Sequence, residues 1–141
     1  MKMIMLVCVL ISLGNIAQAQ KCKAKDVPAA VKSKFAILYP GIKVEKWEKE
    51  EDNYEAEFDK NKKEMTTTFT STGDFIEAET SIKVAELPRS IKDYVVKNYP
   101  RKKIHEASRI VDATGIVTFE AEVKKIELFF DSNGSFIRAE Q

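Results

Sequence analysis

Sulfur, imidazole and glycine are scarce in this chain. Its 141 residues include two cysteines, one histidine and five glycines. One histidine makes no metal pair, and the two cysteines do not stay together. Cys8 falls in an amino-terminal segment that reads as a leader, so Cys22 is the only thiol left after processing. An intramolecular disulfide and a thiolate metal site are both excluded. Lys21 ahead of Cys22 breaks the small-residue pattern that lipid attachment requires, which leaves an untethered thiol. The glycines fit turns, and neither a phosphate-cradling loop nor a nucleophile elbow is present. Charge of one sign is missing too: 23 basic residues stand against 22 acidic ones, interspersed. That balance gives no reason to expect nucleic acid or anionic lipid as a partner.

What is present begins with an address. Lys2, the apolar run Met3 to Leu13 and the small-x-small triplet Ala17-Gln18-Ala19 read as a secretory signal peptide over residues 1–19, cleaved near Ala19-Gln20. The run is shorter than the roughly 20 apolar residues that span a bilayer, and no later segment approaches that length. The expectation is a periplasmic or secreted protein with no membrane insertion after cleavage.

The remainder says nearly the same thing twice. Asp26-Val27-Pro28-Ala29-Ala30-Val31-Lys32, closing at Tyr39-Pro40, returns as Glu86-Leu87-Pro88-Arg89-Ser90-Ile91-Lys92, closing at Tyr99-Pro100. Tyr54-Glu55-Ala56-Glu57-Phe58 is echoed by Phe119-Glu120-Ala121-Glu122-Val123. The stretch from Phe69 to Glu79 matches that from Phe130 to Glu140 at seven of eleven positions. A duplicated supersecondary unit argues for a scaffold that presents a surface. The division expected is a flexible tail over 20–25, a first unit over 26–82 and a second over 83–141, together one structural domain.

Each unit opens with a helix. Pro28 and Pro88 suit a first helical position, and Pro40 and Pro100 enforce the stop. Val31, Phe35 and Leu38 form one apolar stripe; in the second helix Asn98 holds the Leu38 place. Four short strands follow in each unit, near 42–49, 53–59, 64–70 and 75–81, then 102–111, 115–123, 126–131 and 135–140. Tyr54, Ala56 and Phe58 alternate with acids, as do Phe119, Ala121 and Val123, which marks antiparallel strands with one wet face. Ser71-Thr72-Gly73 and Ser132-Asn133-Gly134 place glycine where a hairpin needs positive φ. The predicted fold is α+β: two tandem repeats of one helix and a four-stranded antiparallel meander, the helices on one face of the sheet.

Those helices closing in Tyr-Pro, with Tyr-Glu-Ala-Glu-Phe and Phe-x-Ser-x-Gly-x-Phe-Ile, resemble the PepSY-like, beta-lactamase-inhibitor-like family of exported bacterial proteins. The resemblance spans about residues 25–141. It implies small periplasmic or secreted domains whose helices back a concave antiparallel sheet, and a namesake inhibitor that binds its enzyme with that concave face.

Candidate chemistry is sparse. His105 reads as a solvated or edge-strand histidine. Glu55/Glu57 and Glu120/Glu122 are i, i+2 pairs on one strand face, about 6.5–7 Å apart along the backbone, a spacing compatible with acid–base work or a calcium site but equally with a solvated face. Aromatics point to recognition instead. With Ile42 and Val44 inward, parity puts Trp47 beside Glu45 on the open face. With Ile126, Leu128 and Phe130 inward, Phe129 joins Glu127 there. Phe75 and Phe136 join this candidate binding face if Ile76/Ala78 and Ile137/Ala139 point inward, and Arg138 completes it. The reading favoured is a non-enzymatic binding module with no metal or cofactor, acting on a protein outside the cytoplasm as an inhibitor, regulator or envelope scaffold. The competing reading is a small-ligand or calcium carrier, or a weak enzyme, using the paired carboxylates. A homodimer through an exposed edge strand stays open.

Overall fold

A computed structural model describes residues 19–141. The leader reading, apart from Ala19, and Cys8 lie outside the described residues. The elements run β1 (Gln20–Cys22), a 3-10 turn (Ala24–Asp26), α1 (Ala29–Leu38), β2 (Lys46–Glu50), β3 (Asn53–Lys60), β4 (Lys63–Thr70) and β5 (Phe75–Ser81). A second 3-10 turn (Val84–Glu86) precedes α2 (Arg89–Asn98), β6 (Ile104–Asp112), β7 (Val117–Val123), β8 (Ile126–Asp131) and β9 (Phe136–Glu140). Among the described residues all nine strands form one antiparallel sheet in chain order. The α+β class and the two helix-plus-meander units are as the sequence reads. The junction is a direct pairing of β5 with β6, Glu77 to Ser81 against Asp112 to Ser108, so the units share one continuous sheet.

The helices form where the sequence places them, with two adjustments. Pro28 and Pro88 sit one residue earlier than expected, at the cap, with extended ψ of 143° and 141°. Their carbonyls accept the first helical hydrogen bonds, from Lys32 and Ile91. The buried stripe of α1 is Val31 and Phe35, continued by Tyr39 just beyond it; Leu38 stays 38 % exposed. That explains why Asn98 is tolerated at the equivalent place: it faces outward, its side-chain amide donating to the Tyr94 carbonyl.

Each helix covers its own half of one sheet face, and the cores are separate. The first gathers Val27, Val31, Phe35, Tyr39, Trp47, Tyr54, Ala56, Phe58 and Phe69. Phe35, Tyr39 and Phe58 meet at ring-centroid distances of 4.6–5.1 Å, the tilted and edge-on geometry aromatic rings prefer. The Tyr39 hydroxyl reaches the buried Thr67 hydroxyl at 2.8 Å. The second core runs from Leu87 to Phe130 around Ile91 and Leu128. In the first unit the hairpin between β4 and β5 packs under its helix so closely that Gly73, at φ 87°, leaves no room for a side chain: a Cβ would sit 2.7 Å from the Ala30 carbonyl oxygen.

The expected flexible tail over 20–25 is instead strand and turn. Residues 21–28 stand in the first unit where 81–88 stand in the second. Cys22 pairs opposite Trp47, and Ile82 donates its N–H to the Ala107 carbonyl at 2.9 Å. Trp47 and Ala107 are equivalent, each paired with the central alanine of the next strand, Ala56 or Ala121. Cys22 therefore fills an apolar position, packed against the first core. The helix-starting segment carries its own preceding strand end, which the alternation of Lys21, Lys23 and Lys25 conceals.

Candidate functional site: an acidic trough on the open sheet face

The face away from the helices is assembled by register. Glu48, Glu55, Thr68, Glu77 and Asp112 lie side by side across five strands. Ser81, Ser108, Glu120, Phe129 and Arg138 form a row from β5 to β9. Glu106, Glu122, Glu127 and Glu140 form another. Directly opposed like charges destabilise a flat antiparallel pair, and this face accumulates them.

The sheet is far from flat. A single trough of about 630 Å³ is lined both by Glu50 on β2 and by Glu140 on β9, strands that would lie about 34 Å apart in a flat sheet at roughly 4.8 Å per strand. The Arg138 charge on β9 is felt by Glu77 on β5, four strands away. The curl draws nine carboxylates and one guanidinium around Phe129, Ile110, Ile116 and Thr118. Phe129 forms an almost closed floor, 6 % exposed. The Arg138 guanidinium lies 4.0 Å over its ring and donates to Glu140. The near-neutral total charge of the chain thus conceals a strongly one-signed face, with balancing lysines and arginines such as Lys32, Arg89, Lys92 and Lys97 carried by the helices.

Crowding shows in the protonation of these groups. Burial first, then the facing Glu79, Glu127, Glu122 and Glu106, push Glu120 from 4.5 up to about 8. Burial and the Glu50 carboxylate push Glu55 up to about 7. Glu77 and Glu127 are raised for the same reasons, Glu77 despite the opposing pull of Arg138. These are the signatures of desolvation and like charge. At the β2 end the strain is relieved. Lys46 bridges Glu48 and Glu57 at 2.9 Å each, and those bonds raise its own pKa above the lysine range.

Of the residues predicted from sequence, the structure brings Glu120, Glu122, Glu127, Phe129 and Arg138 together. Glu55 and Glu57 share the open face but lie outside the trough, Glu57 tied to Lys46. Trp47 is corrected: it is 8 % exposed on the helix side, edge-on to Phe35 at 5.9 Å. The strand starts only at Lys46, so parity cannot be carried from Ile42 and Val44 through the irregular residues 42–45. Glu45 lies before β2, exposed, its N–H donating to the Glu57 carbonyl and its side chain outside the trough. Phe136 is likewise corrected. It stacks on Tyr94 at 4.8 Å on the helix side, because a bulge between Phe129 and Phe130 lets Phe136 and Ala139 share one face. A matching bulge at Thr68/Phe69 turns Phe75 inward too. Glu50, Glu77, Glu79, Glu106, Asp112 and Glu140 were missed. The inward reading of Ile76 and Ala78 already implied Glu77 and Glu79 outward; their convergence with the second unit required the continuous curled sheet.

His105 is the extra residue of a bulge between Ile104 and Glu106, exposed beside a junction hollow of about 530 Å³. Among the described residues no three His, Cys, Asp or Glu side chains converge to hold a metal ion.

An open, helix-backed antiparallel sheet built from two α+β units, with its concave face free, defines a class of exposed-sheet scaffold. The chain belongs to the beta-lactamase-inhibitor-like, PepSY-like family, whose model matches residues 16–77 and 63–138. No functionally curated protein matches the sequence. Among solved structures, a DUF2874 family protein from Bacteroides uniformis aligns over 80% of this chain and 88% of its own at 20% identity, TM-score 0.67. A BLIP-like protein from Bacteroides fragilis aligns over 80% and 85% at 18% identity, TM-score 0.65. A Bacteroides eggerthii protein described as periplasmic aligns over 81% and 88% at 17% identity, TM-score 0.66. At these identities the likeness is one of fold.

Proposed function

We propose that this protein is an exported, non-enzymatic binding module whose acidic trough receives a basic surface of a protein partner in the periplasm or outside the cell. The observation that carries the reading is the trough itself: nine carboxylates curled around a phenylalanine floor, with one arginine already seated there by cation–π stacking. A partner's arginine or lysine would meet the same chemistry. Family membership and the leader-like amino terminus support export. Inhibition or regulation of an extracytoplasmic enzyme is the form of binding nearest to the family's name.

The test is affinity capture from the cell envelope with the protein expressed under its own leader, beside a Glu122→Lys/Glu127→Lys variant. A partner retained by the parent, released by salt and lost by the folded variant supports the reading. Equal capture by both removes the trough as the site. The alternative, a calcium or small-cation carrier, predicts a rise in melting temperature across millimolar calcium; a flat response discards it.

A further inference from the structure

We propose that the curl of the sheet is a charge-controlled device: loss of protons from the inward-facing carboxylates opens the trough, and Arg138 sets the balance point. The inference goes beyond the binding reading and is tested without a partner.

Three features carry it. The cores are independent, the first built from residues 22–75 and the second from 82–130. The angle between units is therefore set along the β5–β6 pairing and not by a shared core. On the helix side, one half-exposed ion pair, Lys63 to Glu86 at 3.2 Å, joins β4 to the second 3-10 turn. On the concave side, like charges face one another across that junction.

Glu120 on β7 meets Glu79 from β5, Glu106 from β6, Glu122 on its own strand and Glu127 from β8, with Arg138 of β9 paired opposite Phe129. Glu79 also reaches back to Glu55 of β3, which faces Glu48 and Glu50 of β2, and it shares the junction hollow with Glu64, Lys83 and His105. Glu77 and Asp112 pair across β5 and β6.

Curling brings Glu50 of β2 and Glu79 of β5 into one trough with Glu120, Glu127 and Glu140 of the later strands, so charging them opposes the curl, while Arg138 in the trough favours it. Glu120, the trough carboxylate held up to about 8, places the transition near that pH.

The experiment is a distance measurement between spin labels at Asp52→Cys, in the β2–β3 turn, and Ser132→Cys, in the β8–β9 turn. Both sites are exposed at the same end of the sheet, and Cys22→Ala removes the competing thiol. From pH 5.5 to 9 the distance should lengthen while near-ultraviolet circular dichroism stays native. Glu79→Gln/Glu120→Gln should hold the short distance at pH 9, and Arg138→Gln should move the transition to lower pH. A constant distance in the folded parent overturns the proposal. So does lengthening that coincides with loss of the near-ultraviolet signal, which is unfolding, or lengthening unaffected by both variants.

Discussion

Replacing Glu120 with glutamine should stabilise this protein, and only above mildly acid pH. The carboxyl is held up from 4.5 to about 8 by burial and by four neighbouring carboxylates. A folded-state pKa above the unfolded one means that the folded chain holds the proton more tightly. Stability from this group is fully present below about pH 4.5, declines as pH rises from there to 8, and is gone above it. At about 1.36 kcal/mol per pH unit the full difference approaches about 5 kcal/mol. Partial contact of the side chain with water screens it, and about 2 kcal/mol is the expected effect. Urea denaturation followed by far-ultraviolet circular dichroism and by the fluorescence of Trp47, the single tryptophan, should find parent and Glu120→Gln within about 0.5 kcal/mol at pH 4.5. At pH 9 the variant should lead by about 2 kcal/mol, roughly 8 °C in Tm for a domain of this size. A gap that is the same at both pH values, or a variant no more stable than the parent at pH 9, would refute the electrostatic account of the trough.

Trp47→Ala should lose about 3–5 kcal/mol as a core truncation, read by chemical denaturation; an unchanged midpoint would return Trp47 to the open face. Tyr39→Phe strips the buried Thr67 hydroxyl of its partner and should cost about 1–2 kcal/mol, whereas Tyr99→Phe, whose hydroxyl has no matching bond among the described residues, should cost less. Gly73→Ala combines positive φ with a Cβ forced onto the Ala30 carbonyl and should lower Tm by several degrees. Gly41→Ala, open on every side, should pay only the φ penalty of about 1 kcal/mol.

The repeat made the architecture legible, because period-two alternation and turn glycines recur at fixed offsets and each local signal agrees with the global fold. What escaped was whatever a single extra residue decides. Parity placed Phe129 and the Glu120/Glu122 pair correctly since β7 and β8 run regularly up to Phe129. It failed for Phe136, behind a bulge, and for Trp47, whose strand begins later than the hydrophobic pattern suggests. The trough as a unit was beyond reach for a different reason. Glu79 and Glu120 are 41 positions apart, and only twist and curl accumulated over three strands bring them face to face. Strand β1 was hidden because three residues carry too little pattern to register, though they match the equivalent segment at Ile82 once the two units are aligned.

The separation of the cores bears on how the chain acquires its structure. Every residue of the first core lies between positions 22 and 75, so a polypeptide emerging amino-terminus first holds all that this core needs before the second helix exists. The first unit can then close early and offer β5 as a ready edge, on which β6 pairs once α2 has crossed over, the later strands following by short hairpin steps. Contacts that would otherwise close loops of a hundred residues are replaced by ones closing about sixty or fewer, and assembly becomes templated growth along a single edge.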